Sequence, residues 1–368
     1  MRKGWEYKKW KEVLTIINGK NQSAVVDANG EYPIYGSGGI MGYANNWLCP
    51  ENCVIIGRKG NINKPIFVET KFWNVDTAFG LNANIEYLLP RFLFYFCLDY
   101  NFERHNKAVT IPSLTKADLL KISIPLPPLS TQLSIVSELD KINELIRLKK
   151  EQLKDFDNLA QSIFYEMFGD PVENERGWEV KKLGDICTDI TDGDHMPPPK
   201  SESGIPFITI SDIDKETRCV NFKNTFYVPE DYYNNLKENR KPQKGDLLYT
   251  VTGSYGIPVI VKTDKNFCFQ RHIALLRTNQ EILSTIFLCY WVLSDGVRFM
   301  ADKVATGIAQ KTVGLNSIRK FSCIIPPLPL QHLFAQRIEQ IEHQKAEVQK
   351  SITDLETLLA SRMQYWFE

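Results

Sequence analysis

The sequence predicts an α/β (α+β) protein of two globular halves, each followed by a long helix. Three observations lead there: a duplicated opening tag, a duplicated proline-rich junction, and an apolar heptad period after each junction. At 368 residues the chain exceeds one ordinary core and suits two domains with something added. Its 43% hydrophobic and 24% charged content is that of a globular protein, which excludes a disordered or fibrous chain.

The tag Gly4-Trp5-Glu6-Tyr7-Lys8-Lys9 returns as Gly177-Trp178-Glu179-Val180-Lys181-Lys182. Likewise "KISIPLPPLSTQ" (121–132) is answered by "KFSCIIPPLPLQ" (320–331). Each half opens on the tag and closes on a short strand, a Pro-Pro-Leu turn and a glutamine, the signature of an internal repeat. Gly4 to Pro127 spans 123 positions and Gly177 to Pro326 spans 149, so the second globular part is longer by 26. Between the landmarks the halves share little. The landmarks divide the chain into 1–126, 127–170, 171–325 and 326–368.

Charge follows the same division. The whole chain is neutral, with 44 basic and 44 acidic residues. Lys and Arg outnumber Asp and Glu 15 to 11 in 1–126 and 20 to 19 in 171–325. In 127–170 and 326–368 the acidic residues lead, 8 to 5 and 6 to 4.

Both acidic segments are helical by pattern. Ile135, Leu139, Ile142, Ile146, Lys149, Leu153, Phe156, Ala160, Ile163 and Met167 step by alternating fours and threes. Phe334, Ile338, Ile341, Lys345, Val348, Ile352, Leu355, Leu359, Arg362 and Trp366 repeat that seam. A 3.5-residue period held this long predicts that the two helices pair with each other as a coiled coil. The expected interface is Leu139, Ile142, Ile146, Leu153, Phe156 and Ile163 against Ile338, Ile341, Val348, Ile352, Leu355 and Leu359. The seam lysines, Lys149 and Lys345, fix register. Gln132 to Met167 is 36 residues, a rod of about 54 Å. An antiparallel pair would give the globule–helix–globule–helix chain a pseudo-twofold body.

Within the globules, "CVIIG" (53–57), "PIFVE" (65–69), "DLLYTVTG" (246–253), "PVIVK" (258–262) and "HIALLR" (272–277) are short, β-branched and bounded by turns, so they read as strands. "RFLFYFCLDY" (91–100) and "STIFLCYWVLSD" (284–295) suit helices packed on a sheet. Their aromatic residues fall at core spacing, not in the array of stacking platforms that single-stranded nucleic acid requires.

No stretch of about eighteen apolar residues occurs; the closest, Tyr87 to Leu98, is cut by Pro90 and Arg91. "MRKGWEYKKWKE" has no apolar core behind its basic residues, so no signal peptide is expected and the location expected is cytoplasmic. The eight cysteines are scattered, with only Cys49 and Cys53 close and no partner pair to complete a zinc site. Reduced, mostly buried thiols and no metal are the expectation.

The stretch "EYPIYGSGGIMGY" (31–43) crowds Gly36, Gly38, Gly39 and Gly42 together as a cofactor loop would. A dinucleotide fingerprint needs glycine at its first, third and sixth positions, counted here from Gly36. Position 41 is methionine and Gly42 comes one place late; the sister stretch "SGIPFITISDI" (203–213) holds one glycine. The stretch reads as a glycine-permitted turn. A Walker loop, GxSxG, HExxH and the [ND]PP[FYW] tetrapeptide are all absent, and Glu69-Thr70-Lys71 lacks the upstream Pro-Asp of a nuclease motif. No catalysis is legible, and no cofactor is expected on this chain.

The arrangement resembles the specificity subunit of type I restriction–modification systems over essentially the whole chain. The resemblance rests on the two tags, on "YGSGGIMGY", on "VIIGRKG" with its counterpart "LLYTVTGSYG", and on the two "PPL…Q" junctions in that order. The family writes its junction PPLxEQ; Pro127-Pro128-Leu129-Ser130-Thr131-Gln132 and Pro326-Pro327-Leu328-Pro329-Leu330-Gln331 each lack the glutamate. The resemblance implies a non-catalytic DNA reader with two target-recognition domains, 1–126 and 171–325. The central and C-terminal helices, 127–170 and 326–368, act as spacer and docking surface for two methyltransferase subunits, which restriction/translocase subunits join. S-adenosylmethionine, ATP and Mg belong to those partners. An autonomous nuclease or methyltransferase with a cryptic site and a coiled-coil adapter are the alternatives.

For a DNA reader, basic and amide side chains on glycine-flanked loops are the natural contacts. In the first domain these are Arg58, Lys59, Asn61, Asn63 and Lys64, with Arg104, His105, Asn106 and Lys107 before the domain closes. In the second they are Thr252, Ser254 and Tyr255 in the matching loop, Arg271 and His272, Gln310 and Lys311, and His195 and Lys200 in "TDGDHMPPPK" (191–200). Asp192 and Asp194 in that loop could accept from cytosine. A rod of about 54 Å would separate two readers by one to two duplex turns of about 34–36 Å.

Overall fold

The computed structural model describes residues 5–106, 111–195, 197–307 and 310–367. It divides into two compact units, Met1–Glu151 with Gln349–Glu368, and Gln152–Val348. The sequence landmarks set the helices apart from the globules; in the structure each unit is a globule that includes a stretch of both long helices.

The first unit runs β1 (Glu6–Lys9), α1 (Trp10–Val13), β2 (Leu14–Asn18), β3 (Tyr32–Gly36), β4 (Gly39–Ala44), β5 (Cys53–Gly57), β6 (Ile66–Val68), β7 (Trp73–Asn74), β8 (Ala78–Ala83), α2 (Pro90–Asp99), α3 (Lys116–Leu119) and β9 (Ser123–Leu126), then enters α4 (Leu129–Phe168). β5 lies inside a four-stranded antiparallel sheet of order β2-β8-β5-β6 and is buried at every position, hence its unbroken apolar run. A three-stranded sheet has the order β4-β3-β7, with β3 and β7 parallel. The opening tag and the strand before the junction pair with each other, β1 antiparallel to β9, Glu6 opposite Leu126.

The second unit repeats that topology. It contains β10 (Glu179–Lys182), α5 (Leu183–Ile186), β11 (Cys187–Asp192), β12 (Ile205–Ile208), β13 (Ile213–Asp214), β14 (Cys219–Val220), β15 (Phe226–Val228), α6 (Glu230–Asn234), β16 (Leu247–Thr250), β17 (Pro258–Ile260), β18 (Cys268–Phe269), β19 (Ile273–Thr278), α7 (Thr285–Leu293), α8 (Asp295–Val304), α9 (Leu315–Arg319), β20 (Ser322–Ile325) and α10 (Leu328–Phe367). Its sheets are β11-β19-β16-β17, β15-β12-β18 and β10-β20, in the order of the first unit. The extra hairpin β13-β14 lies in the connection from β12 to β15, so part of the added length is there. Its turn residue Arg218 is left-handed, at φ 52°, and its guanidinium hydrogen-bonds to Asp157 of α4.

The long helices pack antiparallel within each unit. In the first, Arg362 pairs with Glu138, and Lys150 meets Glu356 at 2.9 Å. In the second, Lys345 meets Asp157 at 3.0 Å, and the rings of Phe164 and Phe334 lie 5.7 Å apart. Of the expected interface, Leu139, Ile142, Ile146, Ile338, Ile341, Val348 and Ile352 are buried, while Leu153, Phe156, Ile163, Leu355 and Leu359 are half-buried. The stripe serves two purposes, because its ends enter the globular cores. Ile135 and Leu139 belong to the first core with Met363, and Ala160, Phe164 and Met167 to the second with Phe334. Lys345 is flanked by Asp157 and by Glu342 at 3.1 Å, so this seam cation sits neutralised. Burial opposes the Glu342 charge, but Lys345 and Lys262 outweigh it and hold the carboxyl below its ordinary range.

No helix among the described residues is long and apolar enough to cross a membrane. Six of the eight cysteines are buried. Burial pushes the Cys53 thiol up to about 12 and Cys49 higher still, so neither is a nucleophile.

Candidate nucleic-acid interface

In the first unit the chain leaves β5 at Gly57 and turns tightly toward β6. A Cβ at Gly57 would stand 2.4 Å from the Asn61 carbonyl oxygen, so the turn admits only glycine. Ile62 is buried and anchors the loop, while Lys59, Asn61, Asn63 and Lys64 are exposed around it. The amides of Arg58 and Lys59 donate to the Thr77 carbonyl at 2.8 and 3.2 Å. The half-buried Arg58 guanidinium lies 5.9 Å from the Phe79 ring centroid and donates to the Asp76 carbonyl at 3.4 Å.

Hydrogen bonds join the two candidate stretches of this unit into one surface. The Asn63 side-chain carbonyl accepts from the Phe102 amide at 2.7 Å, and its NH2 donates to Asn101 at 3.3 Å. Gly60 N donates to the Pro112 carbonyl at 3.0 Å, and Leu114 N to the Arg58 carbonyl at 2.9 Å. His105 bonds the Tyr100 hydroxyl at 2.7 Å and stacks on its ring. Asn106 accepts from Ser113 N at 3.0 Å and donates to Glu103 at 3.0 Å. Asn63, His105 and Asn106 therefore hold the surface together, whereas Lys59, Asn61, Lys64 and Arg104 present side chains to solvent. Lys107 lies outside the described residues, as does Gly4 of the opening tag.

The second unit builds the same backbone frame. Gly253 N donates to the Lys311 carbonyl at 3.0 Å, and Val313 N to the Val251 carbonyl at 2.9 Å. These reproduce the two bonds that close the first loop, with different side chains attached. Thr252 is buried and accepts from the Thr312 hydroxyl at 3.2 Å. Ser254 takes a hydrogen bond from Lys215 at 2.9 Å, and the Tyr255 hydroxyl donates to Asp302 at 2.6 Å. The cations here thus come from outside the loop: Lys215, Arg271 and Lys311. Val251 N donates to the His272 carbonyl at 2.9 Å, which brings Arg271 and His272 alongside. Burial, and then the charge of Arg271, lower the His272 pKa below the ordinary imidazole value.

The 191–195 stretch joins this surface through a bridge between Asp194 and Gln270. His195 lies 2.9 Å from Asp192, which also faces Arg240 at 3.6 Å. Asp194 accepts from the Tyr232 hydroxyl at 2.9 Å. Both carboxylates thus hold partners within the protein. At the end of the same stretch the Lys200 ammonium lies 5.0 Å from the Phe226 ring centroid. Gln310 and Lys311 are exposed. Sequence reasoning missed Lys215, which reaches Ser254 from the β13-β14 hairpin 39 positions away in the chain, and Gln270, although it adjoins Arg271 and His272.

Among the described residues no group of three or more His, Cys, Asp or Glu could hold a metal ion. What the two surfaces offer is cations and amides on closely bonded loops, the chemistry of phosphate and base-edge recognition.

A family model described as "Type I restriction modification DNA specificity domain" matches residues 2–155 and 175–357, once per half of the repeat. S.HindORF215P of Haemophilus influenzae, which carries the name of a type I restriction enzyme specificity subunit, is 25% identical over 92% of this chain and 87% of its own. The EcoBI specificity subunit of Escherichia coli is 21% identical over 84% of this chain and 70% of its own. Among solved structures, the S subunit of a type I restriction–modification system from M. genitalium aligns with a TM-score of 0.57 at 14% identity, covering 99% of this chain and 96% of that one. A structure solved to explain complex assembly and conformational transition of the type I system gives 0.60 at 18% identity, covering 99% and 97%.

Proposed function

We propose that this chain, which belongs to the type I restriction modification DNA specificity family, reads an interrupted DNA target with its two unlike globules, one half-site each. The family supplies specificity and not catalysis, so the chain is not an enzyme. One observation carries the reading. The same loop frame, Gly60 to Pro112 in one globule and Gly253 to Lys311 in the other, displays different side chains in each. Equal frames with unequal surfaces suit an asymmetric bipartite site.

The heads of this reading are 1–126 and 171–325. Helices α4 and α10 set the gap between half-sites and dock two methyltransferase subunits, to which restriction/translocase subunits add. S-adenosylmethionine, ATP and Mg act on those partners, and this chain takes no cofactor. The role belongs to the cytoplasm, where the chromosome is. Acidic helices between basic loops favour contact at the heads, since phosphates attract one and repel the other.

The test is reconstitution. The purified chain with methyltransferase subunits should transfer methyl groups to a defined interrupted sequence, and the chain alone should transfer none. Its DNA affinity should fall steeply between about 50 and 200 mM salt. Methylation by the isolated chain would convert the reading to an enzyme; no salt-sensitive DNA affinity would leave only an adapter.

A further inference from the structure

The glycine-rich stretch forms an exposed β-ribbon whose role the reading above does not assign. β3 and β4 are joined by a two-residue tip, Ser37-Gly38, with Gly36 opposite Gly39. β3 is anchored, with Ile34 buried and Tyr35 packed on the Phe72 ring. β4 is the edge strand and is not anchored in the same way: Ile40 and Met41 are 57% and 63% exposed. Segment 25–27 covers its far end, through Asp27 N to the Tyr43 carbonyl at 2.9 Å and Asn45 N to the Val25 carbonyl at 3.0 Å. A Cβ at Gly36 would lie 2.7 Å from the Met41 sulfur, so glycine there lets the thioether fold across the ribbon.

The ribbon tip adjoins the basic loop of the same globule. A Cβ at Gly38 would be 3.6 Å from the Asn61 side-chain nitrogen, and one at Gly60 would be 3.8 Å from the Ser37 hydroxyl. The tip residues Ser37 and Gly38 thus adjoin Gly60 and Asn61 of the loop that carries the exposed Lys59 and Lys64, so the ribbon with its exposed Ile40 and Met41 and the basic loop share one side of the globule. We infer that the β3-β4 ribbon enters the DNA major groove and that Ile40 and Met41 read thymine methyl groups. The inference rests on the DNA-reading function proposed above.

Three physical matches support duplex DNA as the occupant. A major groove about 12 Å wide admits a two-stranded ribbon. Its one apolar group is the thymine methyl, the natural partner of an aliphatic side chain. The neighbouring cations supply the phosphate contacts that hold a ribbon in register. Methionine, unbranched and polarizable, adapts to such a contact. Among the described residues the second globule carries no glycine tip here: residues 209–225, with the β13-β14 hairpin, separate β12 from β15, and the Arg218 turn of that hairpin is tied to Asp157. The ribbon is therefore a device of one half-site.

The experiment compares the assembled methyltransferase complex carrying the natural chain with one carrying Ile40→Thr and Met41→Gln, on a random-sequence duplex library. One half-site should contain an A·T pair whose selection the variant loses, with the other half-site unchanged. Replacing that thymine by deoxyuridine should weaken binding by the natural complex about fourfold, the worth of one buried methyl, and by the variant not at all. Unchanged selection at every position, a half-site without thymine, or loss of subunit assembly would overturn the inference. A variant melting below the natural protein is replaced by Met41→Gln alone, read by the same criteria. If the natural complex shows no sequence selection, it is the DNA-reading function that fails instead.

Discussion

The side-chain carbonyl of Gln132 accepts a hydrogen bond from the Leu89 amide at 2.9 Å, as that of Gln331 does from the Ser284 amide at 2.9 Å. Each glutamine also donates twice. Gln132 reaches the Tyr87 and Pro127 carbonyls at 2.8 and 2.9 Å, and Gln331 the Ile282 and Pro326 carbonyls at 3.0 and 2.8 Å. Both side chains are fully buried. Leu89 and Ser284 precede the first turns of α2 and α7, where amides lack helical partners. One residue type thus supplies the helix cap and clamps the junction to the globule.

Replacing either glutamine should therefore destabilise its own unit. Gln132→Ala leaves the part-buried Leu89 amide and Tyr87 carbonyl and the buried Pro127 carbonyl without their partner, an expected loss of about 2 kcal/mol. Urea unfolding measures it, and hydrogen exchange should open at residues 87–89 first. Gln331→Ala should do the same at 282–284.

Acid should weaken the helix pairing. The hydrogen bond from Arg362 holds the Glu138 carboxyl below its ordinary 4.5; partial burial opposes this, and Trp366 N–H adds to it. A depressed folded-state pKa adds stability above the unfolded value, lost as pH falls through the folded one. Unfolding midpoints should be flat from neutral pH to about 5 and decline below 4.5. Arg362→Gln should lower the neutral-pH midpoint and flatten that acid decline.

Phosphate contact by the first loop should appear in the salt dependence. Arg58→Ala with Lys59→Ala should make the slope of log affinity against log salt shallower by about 1.8, near 0.9 per lost contact. Asn63→Ala should leave that slope alone and cost stability, because its amide joins the loop to residues 101 and 102.

The gap between half-sites should follow helix length. An insertion beside Gln132 would break the clamp, so the test needs matched insertions of one heptad after Glu151 and after Val348, where the chain passes between units. Seven residues add about 10 Å at 1.5 Å per residue, so the recognised gap should lengthen by about three base pairs at 3.4 Å each. An unchanged gap would exclude the helices as the spacer.

The sequence alone determined the duplication, the two long helices, α2, α7 and the strands β5, β6, β16, β17 and β19, because these rest on signals local in the chain. A heptad from Ile135 to Met167 has one good solution, and an unbroken run such as "CVIIG" suits a strand buried on both faces. The basic loop after β5 was legible for the same reason. Only the tertiary structure decided what individual polar side chains do. Asn63, His105, Asp192 and Asp194 look like readers by residue type, yet each holds a partner within the protein, Phe102 and Tyr232 far along the chain for Asn63 and Asp194, Tyr100 and His195 nearby for His105 and Asp192. The glycine stretch reads as a turn, and nothing local tells that its ribbon stands beside Asn61. Hydrogen-bonding capacity is written in a residue, but whether it is available depends on which neighbours folding brings within about 3 Å.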